Sequence, residues 1–156
     1  MFASVTRLRI RRFYFLPAFL WYTFRAQRQA GRTPGFHGGR LLVDAHSTYW
    51  TLTLWENERA MKAFRGSSAH GTVMPKLARW CDEAAYSHWE PQEQIVPSWP
   101  EACRRLFGAP RFSRVHHPSA AHLAHQIAEP RLSPLIGREM KPRPNSVTAQ
   151  AERKSA

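Results

Sequence analysis

The groups in this chain that could do chemistry are imidazoles set among aromatic side chains. His70 follows Ser67-Ser68-Ala69 at an expected helix start. An imidazole there could act as a general base on a phenolic substrate, ligate iron, or hold a backbone group at the helix end. His88 alternates with Tyr86 along a strand-like run, so the two share a face, and both a core role and a site role fit it. Trp50, Trp55, Phe64 and Trp80 recur at strand and helix periods. They could wall a pocket for an aromatic ligand or simply fill a core. His116-His117 and His122-x-x-His125 have metal-like spacing, but a Pro-, Ser- and His-rich stretch without cysteine partners makes a weak chelator. Cys81 and Cys103 form neither a CxxC pair nor a metal spacing, so reduced thiols are the default. With no nucleophile elbow, P-loop, dinucleotide fingerprint or HExxH sequence, hydrolytic and nucleotide-dependent chemistries have no support.

The elements that must position these groups follow from periodicity. Ser4 to Arg12 alternates, with Leu8 and Ile10 on one face and Arg7, Arg9 and Arg11 on the other, which predicts a strand. Pro17 opens a helix that Gly31 stops, with Phe19, Leu20 and Phe24 at helical spacing. Thr33-Pro34-Gly35 is a turn, and Phe36 to Asp44 is a strand whose Gly38-Gly39 predicts a bulge. Tyr49 to Trp55 is the strongest strand. Asn57 can cap a helix that breaks at Gly66-Ser67-Ser68 and resumes with Val73, Met74, Leu77 and Trp80; Pro75 should kink that second piece or sit in its first turn. Ala84 to Glu90 is a further strand, and Pro100 to Phe107 a closing helix. This order, βαββαβ, predicts an α+β, ferredoxin-like fold with a four-stranded antiparallel sheet covered on one face by helices.

The other face raises two questions. Trp50, Leu52 and Leu54 point one way along their strand, while Tyr49, Thr51, Thr53 and Trp55 point the other, so both sides call for cover. A second copy of the same sheet is the simplest cover, giving a homodimeric α+β barrel. The arginine row of the first strand would then need carboxylates, water or an open end.

Composition divides the chain at residue 107. Residues 1–107 carry all six tryptophans, whereas 108–156 turn to Pro, Ser, Ala, His and Arg and are expected to be a mostly disordered basic tail. The net charge is +12, and the first 43 residues hold eight arginines and no acid, a field that attracts nucleic acid and anionic membrane. Arg7 to Arg12 followed by Phe13 to Phe24 imitates a secretory leader. Arg25 and Arg28 come where a cleavage site would, and twelve apolar positions are too few to span a bilayer, so a cytoplasmic protein without a membrane span is expected.

The run from Tyr49 to Phe64 (Tyr-Trp-Thr-Leu-Thr-Leu-Trp-Glu-Asn-Glu-Arg-Ala-Met-Lys-Ala-Phe), continuing Arg-Gly-Ser-Ser-Ala-His70, resembles the antibiotic-biosynthesis-monooxygenase-like superfamily of dimeric α+β barrels. Gln29, Pro34-Gly35-Phe36, the Trp80 to Trp89 region and Pro97 to Leu106 make it most similar to the spheroidene-monooxygenase-like branch. The resemblance implies a pocket between helices and sheet. Some members oxidise aromatic polyketides without a cofactor, and others bind or degrade haem. In the haem-degrading members the iron ligand falls on Met74 of this sequence and a pocket tryptophan on Phe64, so haem degradation is disfavoured. His70, one turn before Met74, matches a histidine of other members and leaves haem binding open. The implied function is a monooxygenase-like protein for a small apolar or aromatic substrate, cofactor-free or haem-assisted. His70 would be catalytic, with Trp50, Trp55, Phe64, Met74, Trp80 and His88 around the ligand. A non-catalytic small-ligand or haem binder is the first alternative and a basic RNA-binding module the second. The strand from Tyr49 lacks the Gly-aromatic signature of RNA-recognition modules, which argues against nucleic acid as a partner.

Overall fold

Alternation in the first strand, β1 (Phe2–Ile10), places Ser4, Thr6 and Leu8 on one face of a sheet and Ala3, Val5 and Arg7 on the other. The computed structural model describes residues 1–44, 47–66, 68–130 and 137–142. After β1, a 3₁₀ turn (Phe13–Phe15) leads into α1 (Leu16–Ala30), then β2 (Phe36–Val43), β3 (Thr48–Trp55), α2 (Glu58–Gly66), α3 (Ser68–Trp80) and β4 (Cys81–Trp89). The chain continues with α4 (Trp99–Gly108), β5 (Arg111–Phe112), α5 (Ala120–Leu123) and β6 (Gly137–Met140). The antiparallel sheet runs β5-β4-β1-β3-β2-β6, so the expected four-strand core is present with a short strand added at each edge. A register shift between Phe36 and Gly38 is the expected bulge, and Gly38 adopts φ 146°, open to glycine and rarely to other residues. The helix breaks where expected, between Gly66 and Ser68, while Pro75 lies inside α3, beyond its first turn. Among the described residues no helix is long and apolar enough to cross a membrane.

The two faces are packed by different parts of one chain. On the first face, α1, α2 and α3 lie over Leu8, Ile10, Tyr49, Trp55 and Ala84. On the second face, α4 sets Ala102 and Leu106, both fully buried, against Val5, Leu52, Leu54 and Trp89. Trp50, Leu52 and Leu54 are thereby at most 1% exposed in a single chain. Self-association through the sheet loses its premise: the row that called for a second copy is covered by α4. Ser98 caps this helix, its Oγ accepting from the Glu101 N–H.

Two of the three arginines, Arg7 and Arg9, lie on this second face and are answered by two carboxylates at the head of β4, while Arg11 lies beyond the strand against Phe15. Arg7 is paired with Glu83, both side chains 4% exposed, and its guanidinium lies 5.6 Å from the Trp50 ring centre. Arg9 donates through Nε and Nη2 to both Asp82 oxygens at 2.9 and 2.8 Å and reaches Glu83 at 2.8 Å. Arg11 donates to the Arg79 carbonyl at 2.8 Å. Arg7 and Arg9 are therefore engaged inside the fold.

The expected tail from residue 108 is corrected over its first part. Free backbone groups along the β4 side of the sheet recruit this segment despite its polar composition. The Ser113 N–H donates to the Ala84 carbonyl at 2.9 Å, His116 to Ala78 at 2.7 Å and Ser119 to Asp82 at 3.0 Å. Val115 and His122 are buried, and the Ser119 hydroxyl donates to Glu83 at 2.9 Å. His122 Nε2 lies 3.1 Å from the Ser113 carbonyl, a structural contact, and no group of metal-ligating side chains forms among the described residues. Residues 131–136 and 143–156 of the expected tail lie outside the described residues.

Two substitutions test this packing. Glu83→Ala strands the buried Arg7 guanidinium and is expected to cost about 3–5 kcal/mol in a urea titration; a loss under about 1 kcal/mol would mean that water reaches Arg7. Leu106→Ala is expected to cost about 2–5 kcal/mol, with a midpoint independent of protein concentration. A concentration-dependent midpoint would return the second face to a partner chain.

Candidate active site

Short side chains in the middle of the first face leave the helices standing off the sheet. Ser4 and Thr6 of β1 lie opposite Thr53 and Thr51 of β3, and none of them fills the space beneath α1. Large residues at the margins (Phe19 and Tyr22 of α1, Trp55 of β3, Phe64 of α2) prevent collapse onto this floor. The result is a cavity of about 660 Å³, mostly apolar, with hydroxyls on its floor and His70 and His88 in its lining.

His70 sits in the first turn of α3 and is held from two sides. Its backbone N–H donates to Gln29 Oε1 at 3.2 Å, while Gln29 Nε2 donates to the Phe64 carbonyl at 3.1 Å. Gln29 thus ties the end of α1 to the corner between α2 and α3. Nδ1 of His70 lies 3.2 Å from the Arg65 carbonyl oxygen. A carbonyl only accepts, so Nδ1 carries the proton and Nε2 keeps its lone pair. The ring packs 4.7 Å from Phe64, which stacks 5.1 Å from Trp55. Burial pushes the His70 pKa below its usual 6.5; the Arg65 carbonyl opposes this and the Arg65 charge adds to it. A neutral, tautomer-fixed imidazole is a competent general base or metal ligand.

His88 lies on the β4 part of the floor, 5.0 Å from the Tyr86 ring and 5.3 Å from Phe2. Burial lowers its pKa first, then the charges of Arg111, Arg65 and Lys62, with Glu58 opposing. The thiols offer no nucleophile: burial and then the Asp82 charge push Cys81 up to about 12, and Cys103 is raised by burial and Glu129.

Of the residues expected around a ligand, Trp55, Phe64, Met74, His70 and His88 line this cavity, Met74 at its partly exposed rim. Two do not belong there. Trp50 borders the space from β3, but its indole packs on the second face and donates to Asp44 Oδ2 at 3.2 Å. Trp80 lies outside the lining, between Phe15 and Tyr22 at 6.1 and 6.0 Å. Residues not anticipated are Tyr22, Thr23 and Gln27 of α1 and the floor hydroxyls. Tyr22 and Thr23 flank the same helix face as Phe19, a signal that helical spacing carries.

No family model and no curated protein matches the sequence. Solved structures do. A Nitrosomonas europaea protein described as a provisional antibiotic biosynthesis monooxygenase aligns at 16% identity and TM-score 0.53, over 60% of this chain and 100% of its own. A Mycobacterium tuberculosis protein aligns at 13% identity and TM-score 0.55, over 61% of this chain and 98% of its own. A third, an antibiotic biosynthesis monooxygenase, aligns at 10% identity and TM-score 0.53, over 60% and 100%. The chain shares their fold. At such identities the likeness is one of architecture, and the residues of the cavity must be argued on their own chemistry.

The two lowered histidine pKa values couple stability to pH with a definite sign. Each group binds a proton more readily in the unfolded chain, whose value is near 6.5, than in the folded one. The resulting stabilisation is complete above that pH and is lost as pH falls from 6.5 through the lower folded values. Denaturation midpoints between pH 7.5 and 5 are expected to fall, less steeply in His70→Gln; equal slopes in both proteins would remove His70 from the linkage.

Proposed function

We propose that this chain is a monooxygenase-like enzyme that takes a small apolar or aromatic substrate into the cavity between α1–α3 and the sheet, with His70 as general base. The observation that carries the reading is the His70 imidazole in the lining of an apolar cavity, its Nδ1 proton anchored on the Arg65 carbonyl and its Nε2 without a hydrogen-bond partner among the described residues. Nε2 accepts a proton from an acidic C–H of the substrate, or from the O–H of its enol form, and the resulting carbanion, whose charge is shared with the enolate oxygen, reduces dioxygen directly. For a methylene between two aromatic rings, the carbon loses two hydrogens and gains one oxygen atom as a carbonyl, while the second oxygen leaves as water. Trp55, Phe64 and Phe19 supply flat apolar contact to the rings, and the floor hydroxyls of Thr6 and Thr51 are placed to meet polar substituents. One chain suffices for this site, and the free thiols of Cys81 and Cys103 suit the reducing cytoplasm in which we place it.

A second reading rests on the same imidazole. Histidines that bind metal commonly hold their other ring N–H on a carbonyl, so His70 and the apolar cavity also fit a haem. The haem iron would supply the centre that activates dioxygen.

Oxygen uptake with an anthrone as probe separates these readings. The cofactor-free enzyme is expected to consume oxygen without added metal, with a rate that falls about 10²–10⁴-fold in His70→Ala, while quenching of tryptophan fluorescence by the probe persists. Uptake unchanged in that variant overturns the proposal. A Soret band that appears on adding haem and is lost in His70→Ala selects the second reading.

A further inference from the structure

The outer face of α1 is built the wrong way round for a helix that faces water. Phe19 and Ala30 are buried against the core, so the opposite side should be polar. It instead presents Leu20, Trp21 and Phe24, which fall together on a helical projection, and Trp21 is 61% exposed. The turn that leads into the helix continues the patch with Tyr14 and with Phe13, which is 82% exposed. Ordered structure surrounds these side chains, so they are held in water by the fold itself.

Charge says what covers them. Arg12, Arg25, Arg28 and Arg32 are exposed around the patch, and none of them forms an ion pair among the described residues. Arg28 lies with its guanidinium 5.6 Å from the Phe24 ring centre, so cation and aromatic face outward together. No acid occurs before Asp44. A second copy brought to this face about a two-fold axis would oppose these arginines to themselves, with no carboxylate of residues 1–43 to separate them. A surface that is anionic at its boundary and apolar beneath satisfies both halves of the patch.

We infer that α1 and the turn before it dock this protein onto anionic lipid surfaces, with the helix lying in the plane of the headgroups. Trp21, Phe24 and Phe13 enter the boundary with the acyl chains while Arg25 and Arg28 meet lipid phosphates and carboxylates. At 15 residues α1 is a surface-lying element and does not reach across. Leu20 both lines the cavity and is half-exposed, so the cavity reaches the surface at the docking face. Docking itself does not depend on any chemistry inside the cavity.

Co-sedimentation of the full chain with phosphatidylcholine vesicles, with and without phosphatidylserine, tests this. Binding is expected only with phosphatidylserine, weakening as salt is raised, with a blue shift in tryptophan emission that is lost in Trp21→Phe. Arg25→Gln with Arg28→Gln is expected to weaken binding about thirtyfold, and Phe24→Ser with Trp21→Ser to abolish it. All of these positions are exposed, and unchanged circular dichroism confirms that the variants fold. Arg114→Gln, on an exposed residue of the C-terminal segment, controls for net charge and is expected to leave binding unaltered. Equal affinity for both vesicles, equal losses from Arg114→Gln and the α1 pair, or a dimer that Trp21→Ser dissociates in the absence of lipid binding would each overturn the inference.

Discussion

Strand β3 carries bulky apolar side chains on both sides, and the rest of the molecule is arranged so that neither side meets water. Trp50, Leu52 and Leu54 require a layer on one face, and Trp55 requires one on the other. Helices α1–α3 supply the second of these layers and α4 the first. Each fully buried side chain of this size contributes roughly 1.5–3 kcal/mol relative to its exposed state, so cover on both faces is a condition for a stable sheet. The asymmetry between the layers has a functional result. Helix α4 brings small and medium residues into close contact with the second face, whereas the short hydroxyl side chains of the first face leave its helices unsupported in the middle. The cavity exists because one side is packed and the other is not.

Much of this was readable from the residues, and the failures have physical reasons. Element order and type followed from period-2 and period-3.6 patterns that tertiary contacts reinforce here. The cover for the second face was misassigned although the signal was present: Trp99, Ala102, Cys103 and Leu106 recur at i, i+3, i+4 and i+7, the apolar stripe of a packed helix. Trp50 and Trp55 are an odd number of positions apart in one strand, so alternation alone sets their indoles on opposite faces. The arginine row was recognised as needing carboxylates, but that Asp82 and Glu83 supply them depends on the β1–β4 register, which no local pattern encodes. Composition underestimated residues 109–127, because backbone hydrogen bonds to β4 and a few buried side chains can order a segment that is polar on average.

The candidate site combines a rigid part and an adjustable one. The floor is anchored in the central strands β1, β3 and β4, while His70 hangs from a corner between two helices that Gln29 fastens to α1. That corner controls where the imidazole points and which of its nitrogens carries the proton, so among the described residues the ring is oriented by backbone and amide contacts. An imidazole oriented by a carbonyl remains neutral when burial disfavours its charge, the state that the proposed role as a general base requires.

The ion-pair cluster also constrains how the chain comes to be folded. Arg7 and Glu83 are 76 positions apart, and β1, a central strand, is flanked by β3 and β4, both made later in synthesis. As it is made, β1 therefore has no strand neighbour, and Arg7 and Arg9 have no carboxylate partner until residues 82 and 83 have emerged. Ser119, which donates to Glu83, arrives later still. Completion of the sheet around β1 consequently waits for β4, because β3 alone leaves Arg7 and Arg9 without their carboxylates.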